Sequence, residues 1–389
     1  MNKNLLLLSI AQGLFLTNNV TFIAINGLVG LSLAPVPWMA TLPVMGYVVG
    51  GALSTGLVAK SQQRFGRKGS FLLGLLIALI SAGIGAWAVL HSSFVLLVVA
   101  TLVAGYYSAN GQLYRFAAAE ICAPDYREKA VSLVMAGGLM GAIIGPNLAK
   151  YTKNWLELPF AGAYVALSVI ALLSMALMAC IEFPPVAAKK SSDQTGRSLQ
   201  EIARQPVFIV ATLSAALGYG VMNLLMAATP LAMQVCGLSF EDTAWFLQWH
   251  VIGMFSPGFV TGHLIQRFGV LTIMGVGVLL NVACISIALS GVDLHQFLFA
   301  LFLLGVGWNF LFTGSTTLSM QAYSSQEKDK AQAAINFCVF ATMAVTSFAS
   351  GALVTTQGWT WLNWGSLLPV AITASGLLFL KLRPNRVQG

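Results

Sequence analysis

Charge is scarce in this chain. Asp, Glu, Lys and Arg make up 8% of its 389 residues, while apolar residues make up 57%. Ordinary globular proteins hold about 25% charged and about 45–50% apolar residues. The apolar residues also run in blocks long enough to cross a bilayer, which takes about 20 residues per helix. These blocks use up nearly the whole chain, so a separate soluble domain is excluded. Cysteine is rarer still. Cys122, Cys180, Cys236, Cys284 and Cys338 are scattered, with no CxxC pair and no metal-ligand spacing. That argues against a disulfide framework or a metal centre and leaves them as small packing residues. No HExxH, phosphate loop or nucleophile–base pair appears, so neither an enzyme nor a cofactor is indicated.

What is present is a succession of twelve apolar blocks: 5–32, 37–59, 70–90, 94–119, 130–152, 160–182, 206–236, 242–265, 270–291, 296–322, 331–355 and 362–381. The first continues from Lys3 to about Leu31 without a small-residue cleavage site, so it reads as a span and not as a signal peptide. The connectors alternate in kind. Those after spans 2, 4, 6, 8 and 10 carry Lys60, Arg64, Arg67, Lys68, Arg127, Lys129, Lys189, Lys190, Arg197, Arg204, Arg267, Lys328 and Lys330. With Lys3, Lys381, Arg383 and Arg386 at the ends, 17 of the 20 basic residues fall on one side; the exceptions are Arg115, Lys150 and Lys153. The positive-inside rule then puts both termini in the cytoplasm. The net charge of +8 is thereby a topology signal, with contact to lipid, and not a nucleic-acid footprint.

The polar stretch 183–205 divides the chain into residues 1–182 and 206–389, and its prolines, serines and mixed charge suit a flexible cytoplasmic linker. The two sides echo each other. Gln63-Arg64-Phe65-Gly66 follows span 2, and Gln266-Arg267-Phe268-Gly269 follows span 8, an offset of 203 residues. Arg127-Glu128-Lys129-Ala130 and Lys328-Asp329-Lys330-Ala331 repeat at an offset of 201. Two recurrences in equivalent connectors point to an internal duplication.

The run Ala59 to Lys68, ending Arg64-Phe65-Gly66-Arg67-Lys68, resembles the loop signature of the major facilitator superfamily, and its R-x-G-R-K end matches in full. Gln63 and Gln266 stand where the family has an acidic residue. The resemblance implies an all-α membrane fold of twelve helices in two pseudo-symmetric six-helix bundles, working by alternating access. It implies that Arg64, Gly66, Arg67, Arg267 and Gly269 latch the bundles, with Glu120 a substitute for the missing acid; the plainer alternative is that the basic residues only set topology. Gly141-Ala142-Ile143-Ile144-Gly145-Pro146 is similar to a glycine–proline motif of the family's exporters. Gly137, Gly141 and Gly145 share one helix face, which allows close packing. Gln112 to Glu120 resembles a bacterial subgroup that includes flavin-vitamin transporters, which implies the inner membrane of a bacterium.

Polar residues deep in a bilayer are costly and need a reason. Asn18, Asn19, Asn110, Asn223 and Asn309 fall near span midpoints, in spans 1, 4, 7 and 10, which line the central cavity in the family. Tyr106, Tyr107, Tyr114, Trp249 and Trp308 accompany them. Amides offer donors and acceptors without charge, and aromatic faces stack on flat rings. The set suits a polar, aromatic small molecule; bonding between helices is the alternative for each asparagine. Trp245 suits an interfacial anchor equally well. Arg115 offers a cation to an anionic solute, or pairs with Glu120, or snorkels. His250, mid-span 8, is a candidate proton relay or a neutral bonded histidine. No Asp or Glu lies mid-span, which leaves facilitated diffusion, coupling through protons at His250 or Glu120, or exchange. The expectation is a monomeric secondary transporter of a small organic solute such as a flavin. A multidrug or metabolite exporter is the near alternative, and a non-transporting receptor or scaffold the distant one.

Overall fold

Inside hydrocarbon a backbone must satisfy its own N–H and C=O groups, which a helix does within one segment. The computed structural model describes residues 3–123, 127–183, 196–324 and 327–382, and among them the only extended regular element is the helix. Fourteen α-helices are described there: α1 (Lys3–Leu33), α2 (Leu42–Leu90), α3 (Phe94–Gly111), α4 (Tyr114–Glu120), α5 (Arg127–Thr152), α6 (Ala161–Ala179), α7 (Leu199–Ala203), α8 (Pro206–Val235), α9 (Phe240–Phe255), α10 (Gly258–Phe268), α11 (Val270–Ser290), α12 (Leu294–Ser319), α13 (Lys328–Thr356) and α14 (Gly358–Leu382). The basic residues Lys189, Lys190, Arg383 and Arg386 lie outside the described residues, as do the side chains of Arg127, Lys129 and Lys328.

Ten helical stretches are individually long and apolar enough to span a membrane. The stretch containing α2 holds two spans, because Gly66, at φ 68° and ψ −179°, breaks it between them. α9 and α10 are each too short but together make one span, interrupted around Pro257. α3 and α4 likewise make span 4, interrupted at Gln112-Leu113. The result is twelve spans close to the expected ones.

The duplication is visible in the packing. A Cβ on Gly50 would strike the backbone of Leu102, and one on Gly105 the backbone of Gly50, so α2 and α3 touch main chain to main chain. In the other bundle a Cβ on Gly253 would lie 2.7 Å from the Phe302 carbonyl oxygen, and one on Gly305 2.6 Å from that of His250. α9 and α12 thus repeat the α2–α3 contact. The expected glycine face of α5 lies on α1: side chains at Gly137, Gly141 or Gly145 would collide with the stretch from Ser9 to Val20. Thr21 on α1 donates to the Gly145 carbonyl at 2.9 Å.

The bundles meet at the face remote from the termini. There Lys150 pairs with Glu241 at 3.1 Å, and Asn147 donates to Gln248 at 3.0 Å. Phe160 meets Phe240 edge-on at 4.9 Å, with the Lys153 ammonium 5.3 Å from the Phe240 ring. On the opposite seam the Thr41 hydroxyl oxygen accepts from the Gly351 N–H at 3.0 Å, and Trp38 stands edge-on to Phe348 at 5.9 Å. Toward the termini the repeated loop glycines, Gly66 and Gly269, have open space around them.

The described part of the 183–205 segment is docked. Ser198 and Glu201 form a capping box at the start of α7. Arg197 donates from Nε and Nη2 to the two Glu327 oxygens at 2.9 and 2.8 Å, and from its backbone N at 2.7 Å. The Glu327 side chain is 3% exposed. The Arg197 guanidinium beside it holds its carboxyl well below the usual carboxylate range, with the Ser324 N–H adding to the effect.

Candidate functional site

The loop latch is built from a repeated turn. Gly66 (φ 68°) and Gly269 (φ 84°) both occupy left-handed backbone that side chains avoid. In each copy the preceding arginine lies over the intervening ring: Arg64 over Phe65 and Arg267 over Phe268, both at 5.3 Å. The copies differ in electrostatics. Arg67 makes a two-pronged ion pair with Glu120, with Nε 2.9 Å from Oε2, and also donates to Gln62. That pair ties α2 to the end of α4 within one bundle and does not bridge the two bundles. Among the described residues Arg267 makes no ion pair.

The structure divides the amides that the sequence groups into one pocket. Asn223 spends its NH2 on α13, donating to the Met343 carbonyl at 3.1 Å, Thr346 at 3.0 Å and Ser347 at 2.8 Å. Asn110 donates to the Ser70 carbonyl at 2.7 Å, bonding α3 to α2. Asn309 braces the broken span, donating to the Met254 carbonyl and accepting from the Thr261 hydroxyl, both at 2.7 Å. Met254 precedes the break and Thr261 follows it, so one amide splints both sides. These three amides bond between helices of a single bundle, the alternative their chemistry also allowed. His250 is fully buried, with Nδ1 2.6 Å from the Leu301 carbonyl, between α9 and α12. Tyr114 packs edge-on against Phe15 and Phe71. Trp249 is 39% exposed, edge-on to Trp245 and Phe302. Asn18 is buried in α1.

Other residues retain unspent polar atoms. Arg115 Nε, Trp308 Nε1, Tyr106 Oη, Asn19 Oδ1 and Gln12 Oε1 are buried without a hydrogen-bond partner. Arg115 and Trp308 come from opposite bundles, and Tyr219 of α8 joins them. The Trp308 indole meets the Tyr219 ring edge-on at 5.2 Å and stacks on Phe312 at 5.3 Å and 9°. Phe255 closes on the same indole at 6.1 Å. Tyr219 lies within electrostatic reach of Arg115 and of Tyr47, both in the other bundle. Tyr47 stacks at a tilt on Phe22 at 4.9 Å. Gly111, before the break in span 4, is pressed on the Phe15 ring, so no side chain fits there; the break then directs Tyr114 into the core and Arg115 to the junction. Tyr219, Tyr47 and Phe312 are absent from the sequence-derived set. The one signal for Tyr219 is its place mid-span between two glycines, Gly218 and Gly220.

Two six-span bundles related by an internal repeat, meeting around an aromatic centre with unspent polar atoms, define a secondary transporter. A family profile for the Major Facilitator Superfamily matches residues 5–258 and 251–388, and the chain belongs to that family. It is 37% identical over 385 residues to the riboflavin transporter RfnT of Brucella anthropi, an alignment covering 98% of this chain and 96% of that one. It is 27% identical to the MFS-type transporter YddS of Bacillus subtilis, over 84% of this chain and 78% of that one. Among solved structures, a bacterial homologue of the human lysosomal transporter Spinster, inward-facing and occupied, superposes with a TM-score of 0.73 at 16% identity, over 97% of this chain and 96% of that one. A bacterial metal transporter gives 0.69 at 14% identity, over 98% and 100%. At these identities the structural likeness speaks for the fold. The chain is therefore a multi-pass bacterial membrane protein that moves a small solute, and not an enzyme.

Proposed function

We propose that the solute is a flavin, riboflavin first, carried across the inner membrane by alternating access of the two bundles. The observation that carries this reading is the aromatic centre of Tyr47, Tyr219, Trp308 and Phe312, with the buried, unpartnered N–H groups of Arg115 and Trp308 beside it. A flavin combines a flat three-ring system with a polar edge and a hydroxylated tail, so both kinds of group find use. Similarity to a riboflavin transporter over nearly the whole chain supports the same solute. The termini face the cytoplasm by the positive-inside rule. The seams at the far face then close the periplasmic side, which corresponds to access from the cytoplasm. The working unit is one chain, because the centre is assembled from both of its bundles.

The test is uptake of radiolabelled riboflavin into proteoliposomes holding the purified chain. Saturable, time-dependent entry that unlabelled riboflavin inhibits is expected. Binding without entry would favour a receptor, and no interaction with riboflavin at all would refute the reading. Orientation is tested separately with a cysteine at Ser192: labelling by an impermeant thiol reagent from outside intact cells would refute cytoplasmic termini.

A further inference from the structure

We propose that the site reads the cyclic imide edge of its solute, and that Arg115 and Trp308 are the residues that read it. The inference rests on the flavin reading above and goes beyond it to the part of the molecule that is selected.

A guanidinium and an indole can only donate hydrogen bonds. Each leaves an N–H buried and unmet, Arg115 Nε and Trp308 Nε1. Trp308 is deeply buried, at 7% exposure. No ion pair compensates Arg115 among the described residues; its guanidinium lies 4.9 Å from the Phe116 ring, within reach of Tyr219. Buried polar groups without partners are rare, and each calls for an explanation such as a ligand. These two need acceptors; Trp308 meets Tyr219 edge-on, and Arg115, from the opposite bundle, lies within electrostatic reach of it.

A flavin ring is chemically lopsided. Its dimethylbenzene end has no polar atom. Its pyrimidinedione end is a cyclic imide, in which an N–H lies between two carbonyls. The carbonyls are the acceptors that the two donor-only groups lack. The intervening N–H needs an acceptor in turn, and α1 carries two unpartnered buried amide oxygens, Gln12 Oε1 and Asn19 Oδ1. The dimethylbenzene end then packs on apolar rings, where Phe22, Phe255 and Phe312 are available. The ribityl tail is secondary in this arrangement. The substrate class is therefore fused aromatic rings ending in a free imide.

The experiment measures binding of radiolabelled riboflavin to the purified full chain, with lumiflavin, 3-methyllumiflavin, 2-thiolumiflavin and 4-thiolumiflavin as competitors. Lumiflavin lacks the ribityl tail and keeps the imide; its 3-methyl derivative has the imide N–H replaced, and its 2-thio and 4-thio derivatives each have one carbonyl oxygen replaced by sulfur, a weaker acceptor. Loss of a neutral hydrogen bond weakens binding about two- to tenfold, so 3-methyllumiflavin is expected to compete at least that much less well. Trp308→Phe keeps a ring and loses the N–H. Arg115→Lys keeps the charge and loses the planar fork. Each variant removes a donor to one carbonyl and is expected to bring the ratio of lumiflavin to one of the thio analogues toward one, while Gln12→Leu or Asn19→Leu does the same for the ratio of lumiflavin to 3-methyllumiflavin. A merely structural role would weaken all competitors equally. Equal competition by lumiflavin and all three derivatives in a chain that binds riboflavin would overturn the inference and leave the flavin reading standing. Unchanged ratios of lumiflavin to both thio analogues in Trp308→Phe and Arg115→Lys would overturn the assignment to Arg115 and Trp308. Absence of riboflavin binding by the unaltered chain would overturn the flavin reading and this inference with it.

Discussion

Gly351 on α13 touches Thr41 across one of the two seams that close the far face, and replacing it with alanine is the sharpest test of that closure. A Cβ at Gly351 would overlap the Thr41 hydroxyl oxygen and lie 2.9 Å from its Cγ2 and 3.0 Å from its Cβ. Thr41 is fully buried, so it has little room to yield. The same hydroxyl oxygen accepts from the Gly351 N–H at 3.0 Å. Overpacking of this kind costs about 1–3 kcal/mol. Alternating access requires this seam to open in the opposite state, so the penalty falls on the closed state alone. A change of about 1–3 kcal/mol moves the balance of two states about 5- to 150-fold. Spin labels at Tyr151 and Val235, exposed on opposite bundles near this face, report the balance in a background without the native cysteines. In Gly351→Ala the longer-distance population is expected to grow and turnover to fall, with melting temperature as the folding control. Adding Thr41→Ala removes the two nearest atoms and should restore much of both. Unchanged distances in the single variant, or no restoration in the double, would refute the reasoning.

Three further outcomes are expected. Asn309→Ala removes two bonds across the α9–α10 break; such bonds contribute about 0.6 kcal/mol each on average within membranes, so the melting temperature should fall while riboflavin affinity changes less than in Trp308→Ala, read by thermal unfolding and by binding. Arg67→Ala breaks the pair with Glu120 inside one bundle, and should lower maximal transport rate with riboflavin affinity unchanged; a pure affinity loss in uptake kinetics would count against this. Glu327 has its folded pKa depressed by Arg197, so its contribution to stability is present above the ordinary glutamate range and is lost as pH falls below it; Glu327→Gln should flatten the acid side of a melting temperature against pH curve.

The spans were legible because hydropathy and length are imposed by the bilayer itself. Gly66 and the α5 glycine face were legible because backbone geometry and close approach leave glycine as the fitting residue. The direction in which a mid-span polar residue points was not. Successive residues on a helix turn by about 100°, and a block that is apolar nearly all round does not show which face meets the centre. Trp308 and Asn309 make the point as neighbours. The indole of one meets Tyr219 at the bundle junction, while the amide of the other splints α9 to α10. Polarity marks both as functional, and only packing separates solute contact from helix bracing. Tyr219 shows the converse, since a tyrosine in an apolar block reads as ordinary packing until its partners are seen.

The distribution of charge bears on what drives transport. Carrying protons with the solute needs a group at the bundle junction that titrates as the access changes. The sequence has no Asp or Glu mid-span. His250 is the mid-span histidine, and it lies fully buried inside one bundle, with Nδ1 held by the Leu301 carbonyl. Glu120 is engaged with Arg67 at the terminal end of its bundle. Arg115 is at the junction, but an arginine stays charged at every physiological pH. A ligand shifts a two-state balance only by its differential affinity for the states, and among the described residues the junction holds no carboxylate or histidine whose affinity for a proton could differ between them. Riboflavin is neutral, so a membrane potential does not drive it either. The expected behaviour is equilibration: labelled riboflavin should enter proteoliposomes until inside and outside concentrations match, and an imposed pH gradient should leave the endpoint unchanged. Preloading with unlabelled riboflavin should produce transient counterflow of label. Accumulation above the outside concentration that collapses when the pH gradient is dissipated would refute this argument and direct attention back to His250 and Glu120.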